Sequence, residues 1–254
     1  MSVQRIFRVE HDGSPRYAIE QAGVLRLIDG DVFEGPAGYR VGDAITPSRI
    51  LAPVLPSKIV CVGLNYRDHA SEVKATIPAE PLMFLKPSTA VVGPGDAIRI
   101  PPGVGRVDHE AELGIVMGRR AHRIPRERAR DVVFGVTCVN DVTARDLQAR
   151  DGQWTRAKGF DTFAPIGPCI AIGLDPGSLD VEGWVNGERR QASNTRQLIF
   201  PIDELVAYAS FVMTLLPGDV IATGTPAGIG PIKAGDWVTI RVGGIGDLVN
   251  PVTD

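Results

Sequence analysis

At 254 residues, with 44% hydrophobic and 22% charged side chains, the chain can bury a sizeable core in one large domain or a large one plus a small one. A formal net charge of −3 supplies no basic field for nucleic acid or for an anionic membrane surface. No apolar run approaches the ~20 residues that a membrane span requires, and the MSVQRIFRVEHDG start lacks a signal-peptide core, so a cytoplasmic protein without nucleic-acid or membrane partners is expected.

Twenty prolines and 29 glycines indicate short segments joined by tight turns, as in a β-rich fold with short helices. Residues 1–55 read as a small N-terminal β domain. Ile6–Val9, Tyr17–Ile19 and Val24–Ile28 are its strand candidates, separated by Asp12-Gly13 and Ala22-Gly23 turns. Ile50–Pro56, with two prolines, reads as a linker into a larger domain over residues 56–254. That domain opens on a buried strand, Lys58–Gly63, running out into Leu64-Asn65-Tyr66-Arg67-Asp68-His69. The poorly apolar segment between His69 and Pro81 can form a helical turn or two, and suits either a lid or an ordinary surface loop. Within it His69 and Glu72 are three apart, so one turn would set a carboxylate against the imidazole. Such a pairing raises basicity and fixes the tautomer, as a general base requires. Leu82–Pro87 is another buried run, ending in the cation Lys86.

The chemistry concentrates in Asp108-His109-Glu110-Ala111-Glu112-Leu113-Gly114-Ile115-Val116-Met117-Gly118. Ala111, Leu113, Ile115 and Met117 alternate with Glu110, Glu112, Gly114 and Val116, and this period of two predicts a strand. The two carboxylates would project from one face, roughly 7 Å apart at Cβ. Neighbouring anions on a strand anchored in a core need a bound cation, a nearby Arg or Lys, or protonation of one acid. A sheet face turned to solvent, where Glu-x-Glu is ordinary, is the other reading. Gly114 and Gly118 on the carboxylate face point to close approach of a ligand or of another backbone.

Pro125 and the charged run Arg126–Arg130 predict a short solvated helix. Phe134–Val139 is apolar and β-branched and ends in Asn140-Asp141. This suits a buried strand that delivers Asp141 to a cleft, and on local grounds Asp141 equally suits a helix cap. A helical turn over Thr143–Gln148 and the Lys158-bearing segment Trp154–Asp161 follow. Asn186-Gly187 predicts a type I′ hairpin. Ile202, Leu205, Val206, Ala209, Val212, Met213 and Leu216 form a helical stripe for core packing, stopped by Pro217-Gly218. Val220–Ala222 leads into a Gly-rich loop, Thr223–Gly230, which lacks dinucleotide-fingerprint spacing and a P-loop lysine. Its backbone N–H groups and a threonine hydroxyl could hold a small carboxylate. Asp236–Val242 and its Gly-rich return close the sheet. The three cysteines, Cys61, Cys138 and Cys169, lie far apart in apolar runs and read as buried thiols, with neither a disulfide framework nor a zinc site.

In order, these motifs resemble the fumarylacetoacetate hydrolase family, specifically the bacterial enzymes that decarboxylate or isomerise 2-oxo dicarboxylates in aromatic-acid catabolism. The resemblance spans about residues 55–252. It rests on Gly63–His69, Phe84–Pro87, Asp108–Leu113, Asn140–Asp146 with Gln148, Lys158–Asp161, Asn194-Thr195 with Ile199-Phe200, and Thr223–Pro226. It implies a largely antiparallel, rolled β-sandwich with short helices, a small N-terminal β domain, and assembly as a homodimer. It also implies a divalent cation, Mg²⁺ or Mn²⁺, held by Glu110, Glu112 and Asp141, in keeping with the preference of hard cations for carboxylate oxygens. His69 and Glu72 would form an acid–base dyad on a mobile lid, Lys158 would face the substrate, and Arg145, Gln148, Thr225 and Gly224 would orient it. Where relatives often carry Tyr before the first Glu, this chain has His109, expected beside the site and outside the ligand set.

The function so implied is decarboxylation or isomerisation of a 2-oxo, 2-hydroxymuconate-type dicarboxylate through an enolate whose charge the cation stabilises. Acylpyruvate hydrolysis or oxaloacetate decarboxylation would use the same site, with His69 and Glu72 activating water in the hydrolytic case. A non-catalytic oligomeric binding module that keeps only the fold is the reading from another class. Retention of every acid and base at the matching motifs argues against it.

Overall fold

The computed structural model describes residues 3–254. A 12-stranded sheet holds most of the strand residues, in the order Tyr39–Ile45, Val24–Gly30, Ser14–Gln21, Gln4–His11, Ala164–Ile172, Val133–Asn140, Ala111–Met117, Val220–Ala222, Ile59–Gly63 and Leu82–Lys86, with two short strands joined laterally. Pairing along this path is antiparallel except where Val220–Ala222 runs parallel to Ile59–Gly63. A 5-stranded sheet, containing Asp180–Val185, Glu188–Asn194, Trp237–Val242 and Gly246–Thr253, packs across it. Trp237–Val242 and its return Gly246–Thr253 are neighbours within this second sheet, in keeping with the expected β-sandwich.

The alternation along Ala111–Met117 sorts its side chains into two cores. Leu113, Ile115 and Met117 join Val181, Val238, Ile240 and Leu248 of the smaller sheet, while Val116 packs on the opposite face with Val139, Ala222, Cys61 and Ile170. All seven strand residues are buried, and each large aliphatic side chain contributes about 1.5–3 kcal/mol through removal from water. A strand this firmly held cannot swing its carboxylates outward. The glycines serve packing rather than a ligand: a Cβ at Gly114 would lie 2.6 Å from Val139 Cγ2, and one at Gly118 would lie 3.2 Å from the Phe134 backbone.

The N-terminal strands continue the large sheet through Gln4–His11 on Ala164–Ile172, and bury Ile6, Ile19, Ile28 and Val32 in a core of their own. The stretch expected as a linker is anchored, since Ile50 and Leu51 pair with Val9 and Arg8 and Ala52–Val54 are buried. Leu82–Lys86 lies at the sheet edge. With one strand neighbour only, Leu82 and Leu85 are exposed and Lys86 alone is fully buried, so the expected buried run is corrected. The helix ends at Val212, before the expected stop, because Met213 turns extended (φ −148°, ψ 152°). Ile202, Leu205, Val206 and Ala209 form the buried stripe, and Val212 and Leu216 are exposed. The Asn186-Gly187 hairpin forms as expected, with φ of 51° and 80°. Cys61, Cys138 and Cys169 are free and buried, and burial raises each thiol pKa. Among the described residues no helix is long and apolar enough to cross a membrane.

Candidate active site

Strand register assembles the acidic cluster. Ala111 lies opposite Asn140, and the Asp141 N–H donates to the Glu110 carbonyl at 3.0 Å, so Glu110 and Asp141 become cross-strand neighbours. Glu112 follows two residues on, along the same face. One oxygen from each of Glu110, Glu112 and Asp141 lies within 4.8 Å of the others. Their exposures of 4%, 1% and 1% rule out the solvent-facing surface that the sequence left open. Asp141 does not cap the next helix, which starts at Arg145 after Ala144 without a side-chain cap. Its carboxylate instead accepts from Lys86 at 2.5 Å and from Lys158 at 2.6 Å.

The charges around the cluster are unevenly distributed. Glu110 accepts from Lys158 at 2.9 Å and from the Arg145 guanidinium. Burial would raise its pKa, but these two cations outweigh that and hold the carboxyl below the usual range. Burial would likewise discharge Lys158, and Asp141 and Glu110 outweigh it, so the ammonium is held charged. Glu112 differs. Among the described residues no cation pairs with it, and its hydrogen-bond donor is the Gly224 N–H at 2.9 Å. Burial, then the nearby Asp141 and Glu110, push its pKa well above the usual value. Three converging hard oxygens, one from a carboxylate without a counter-ion, fit a divalent cation.

The cluster forms the floor of a cavity of about 680 Å³. His69, Glu110, Glu112, Asp141, Arg145, Gln148, Lys158 and Thr225 all line it, so the fold unites eight of the ten residues singled out from sequence. Glu72 and Gly224 stand behind the wall. Glu72 accepts from His69 Nδ1 at 2.8 Å and from the Gly228 N–H at 3.0 Å, tying the short helix Arg67–Glu72 to the Gly-rich loop. Gly224 has φ +96°, and a Cβ there would meet Asn65 Cβ at 2.8 Å, so glycine permits both the turn and the approach to Glu112. The Thr225 hydroxyl donates to the Ala111 carbonyl at 3.0 Å and accepts from Gln191 at 2.8 Å, which braces the loop against the acidic strand. Phe84 and Trp154 wall the far side, with the Lys158 ammonium 4.9 Å from the centre of the Phe84 ring.

Three contributors, Lys86, Asp108 and Gln191, carry no site role in the sequence. Lys86 supplies Asp141 with its second cation, and Asp108 is fully buried between Arg106 and Arg145. Gln191, from the smaller sheet, accepts from Ala111 N–H and contacts His109 Nδ1 at 3.1 Å. Of these, only Asp108 and Lys86 lay within recognised motifs, and a charged residue inside an apolar run was the available signal. His109 is buried beside the site and points away from the cavity, as a neighbour outside the ligand set; burial lowers its pKa.

The family model described as "Fumarylacetoacetate (FAA) hydrolase C-terminal" matches residues 58–253. A solved 5-carboxymethyl-2-hydroxymuconate delta-isomerase from Mycobacterium smegmatis is 45% identical, with a TM-score of 0.90 over 98% of this chain and 99% of that one. A 2-hydroxyhepta-2,4-diene-1,7-dioate isomerase from Mycobacterium marinum is 42% identical, with a TM-score of 0.87 over 98% of both chains. A mitochondrial oxaloacetate tautomerase from Xenopus laevis is 44% identical over 216 residues, 80% of this chain and 68% of the relative.

Proposed function

The chain belongs to the fumarylacetoacetate hydrolase family of enzymes, and from that premise we propose that it isomerises or decarboxylates 2-oxo dicarboxylates, with Mg²⁺ or Mn²⁺ held by Glu110, Glu112 and Asp141. The observation that carries the proposal is the buried carboxylate triad with no cation on Glu112, at the floor of a cavity that also contains His69 and Lys158. The named activities of the three relatives, two double-bond isomerisations and one keto–enol tautomerisation, support proton transfer beside a 2-oxo acid as the shared chemistry.

A divalent cation supplies Lewis-acid stabilisation of the negative charge that develops on the substrate's oxygens. The chain's own residues do the rest. Glu72 accepts the Nδ1–H of His69, which leaves the Nε2 lone pair for a proton from substrate carbon. The same nitrogen, once protonated, returns that proton at another carbon and completes an isomerisation; in decarboxylation it takes a proton from water and passes it to the carbon from which CO₂ has left. Lys158, kept charged by Glu110 and Asp141, faces the cavity with an N–H available to a substrate oxygen. Arg145, with Gln148 on its Nη1 at 2.7 Å, lines the path between cluster and mouth and orients the bound acid.

The test is turnover of oxaloacetate, followed through its enol absorbance, by wild type and by Glu110→Ala and Asp141→Ala with metal content measured in parallel. Chelation with EDTA should abolish turnover, Mg²⁺ or Mn²⁺ should restore it, and each variant should lose metal and activity together. Full activity on 2-oxo acids with the metal removed would overturn the proposal.

A further inference from the structure

We propose that Arg106 selects substrates that carry a second carboxylate, receiving it at the cavity mouth. The inference rests on the 2-oxo-acid reading of the same cavity and adds which end of the ligand is read, and by what.

The charge inventory points to this residue. Lys86 and Lys158 are both buried and bonded to Asp141 or Glu110. Arg145 spends its three nitrogens on Asp108, Gln148 and Glu110. Arg106 is the remaining cation of the wall, and its side chain is 52% exposed. Its Nε and Nη2 donate to Asp108 at 2.7 and 3.0 Å, and among the described residues Nη1 has no hydrogen-bond partner. A guanidinium has five N–H donors, so three remain for a ligand.

Neutralising buried Asp108 does not by itself explain Arg106, because Asp108 is already paired with Arg145 at 2.8 Å. Arg145 is shared between Asp108 and Glu110, whereas Arg106 meets Asp108 alone, and Arg106 is the exposed member of the pair with N–H groups left over. The group is also pre-positioned. The Arg106 N–H donates to Asp146 at 3.2 Å, and its carbonyl accepts from the Arg145 N–H at 2.8 Å. At Gly105 a Cβ would collide with the Asp146 carboxylate, so only glycine allows the chain to pass there. That Asp146 oxygen is committed to the Arg106 backbone.

The contacts Arg106–Asp108–Arg145–Glu110 run in series from the mouth to the triad. A ligand with its 2-oxo-acid end at the triad, and a chain long enough to follow this wall, would bring its distal group to Arg106. Gln148 adds a donor on the way, since its Oε1 is taken by Arg145 and, among the described residues, its amide N–H groups have no acceptor. A half-exposed guanidinium exchanges water for a carboxylate at small desolvation cost, so the contact sorts substrates by affinity rather than by rate.

The experiment compares 2-hydroxyhepta-2,4-diene-1,7-dioate, a diacid long enough to run along this wall, with its 7-methyl ester, the same chain without the distal charge, in the presence of Mg²⁺. For wild type, KM for the diacid should lie about tenfold below that for the ester. Arg106→Gln should raise the diacid KM by about tenfold, leave the ester KM unchanged, and keep kcat within about twofold for both. Arg106→Lys should restore part of the preference, because charge is retained and the fork lost. A wild type that handles diacid and ester alike would overturn the inference, as would an Arg106→Gln variant in which both KM values or both kcat values shift together. Wild type that turns over neither compound would instead defeat the 2-oxo-acid reading itself, and this inference with it.

Discussion

Glu112→Gln separates what the acidic cluster costs from what it does. Without metal, Glu112 is buried with a backbone N–H at 2.9 Å and no cation, and burial plus Asp141 and Glu110 lift its pKa well above 4.5. A carboxyl with a raised folded pKa is neutral in both states at low pH and has no effect there. Above its unfolded value the unfolded chain ionises first, so stability falls as pH rises, until the folded group ionises too. Glutamine keeps the shape and the Gly224 hydrogen bond and removes the ionisation. The variant should therefore be more stable than metal-free wild type by about 1–2 kcal/mol at neutral pH, the margin closing towards about pH 4. Divalent cation should reverse the order. At about 100 times its Kd a cation stabilises wild type by about 2.7 kcal/mol, while the variant, lacking one carboxylate, gains far less at that concentration. Urea unfolding with EDTA and with Mg²⁺, across about pH 4 to 8, reads both effects. Equal stabilisation of the two proteins by Mg²⁺, or a metal-free variant less stable than wild type throughout, would refute the reasoning.

Gly224→Ala should cost about 2–4 kcal/mol in urea unfolding, combining left-handed backbone strain with overpacking against Asn65 and the Val62 carbonyl; a cost below about 0.5 kcal/mol would count against the packing described. Lys86→Met should destabilise the metal-free protein by about 3 kcal/mol, since Asp141 and the Val142 carbonyl each lose a buried donor; retained stability would show that Lys158 alone suffices for Asp141. His69→Gln should lower kcat by about 10²–10⁴ with an unchanged melting temperature, because the ring touches the fold chiefly through Glu72; full activity would remove the dyad from the mechanism.

The strand Ala111–Met117 is legible because a period of two survives burial on both faces, and Asp141 because an apolar run ends just before it. The fate of those carboxylates was not legible. Glu-x-Glu on a solvated sheet has the same local sequence, and only the crossing of Lys86, Lys158 and the Gly224 turn over the cluster distinguishes the two. Lys86 arrives through pairing of its strand with Ile59–Gly63, and Gln191 from a different sheet; neither leaves a mark near Glu110 in the sequence. Gly114 and Gly118 illustrate the converse. Glycine in a strand signals close approach without saying of what, and here Val139, Thr137 and the Phe134 backbone fill the space. The exposed end of the Ile202 helix leaves no mark in the sequence, because the apolar period continues past the last helical residue while Met213 turns extended.

A crystal structure grown with Mg²⁺ and oxalate, a mimic of pyruvate enolate, tests the central claim most directly. The account predicts one ion about 2.0–2.1 Å from oxygens of the Glu110, Glu112 and Asp141 carboxylates, with oxalate beside it in the cavity. An ion bound elsewhere, or the three carboxylates still held by Lys86, Lys158 and Gly224 with no ion among them at saturating Mg²⁺, would contradict it.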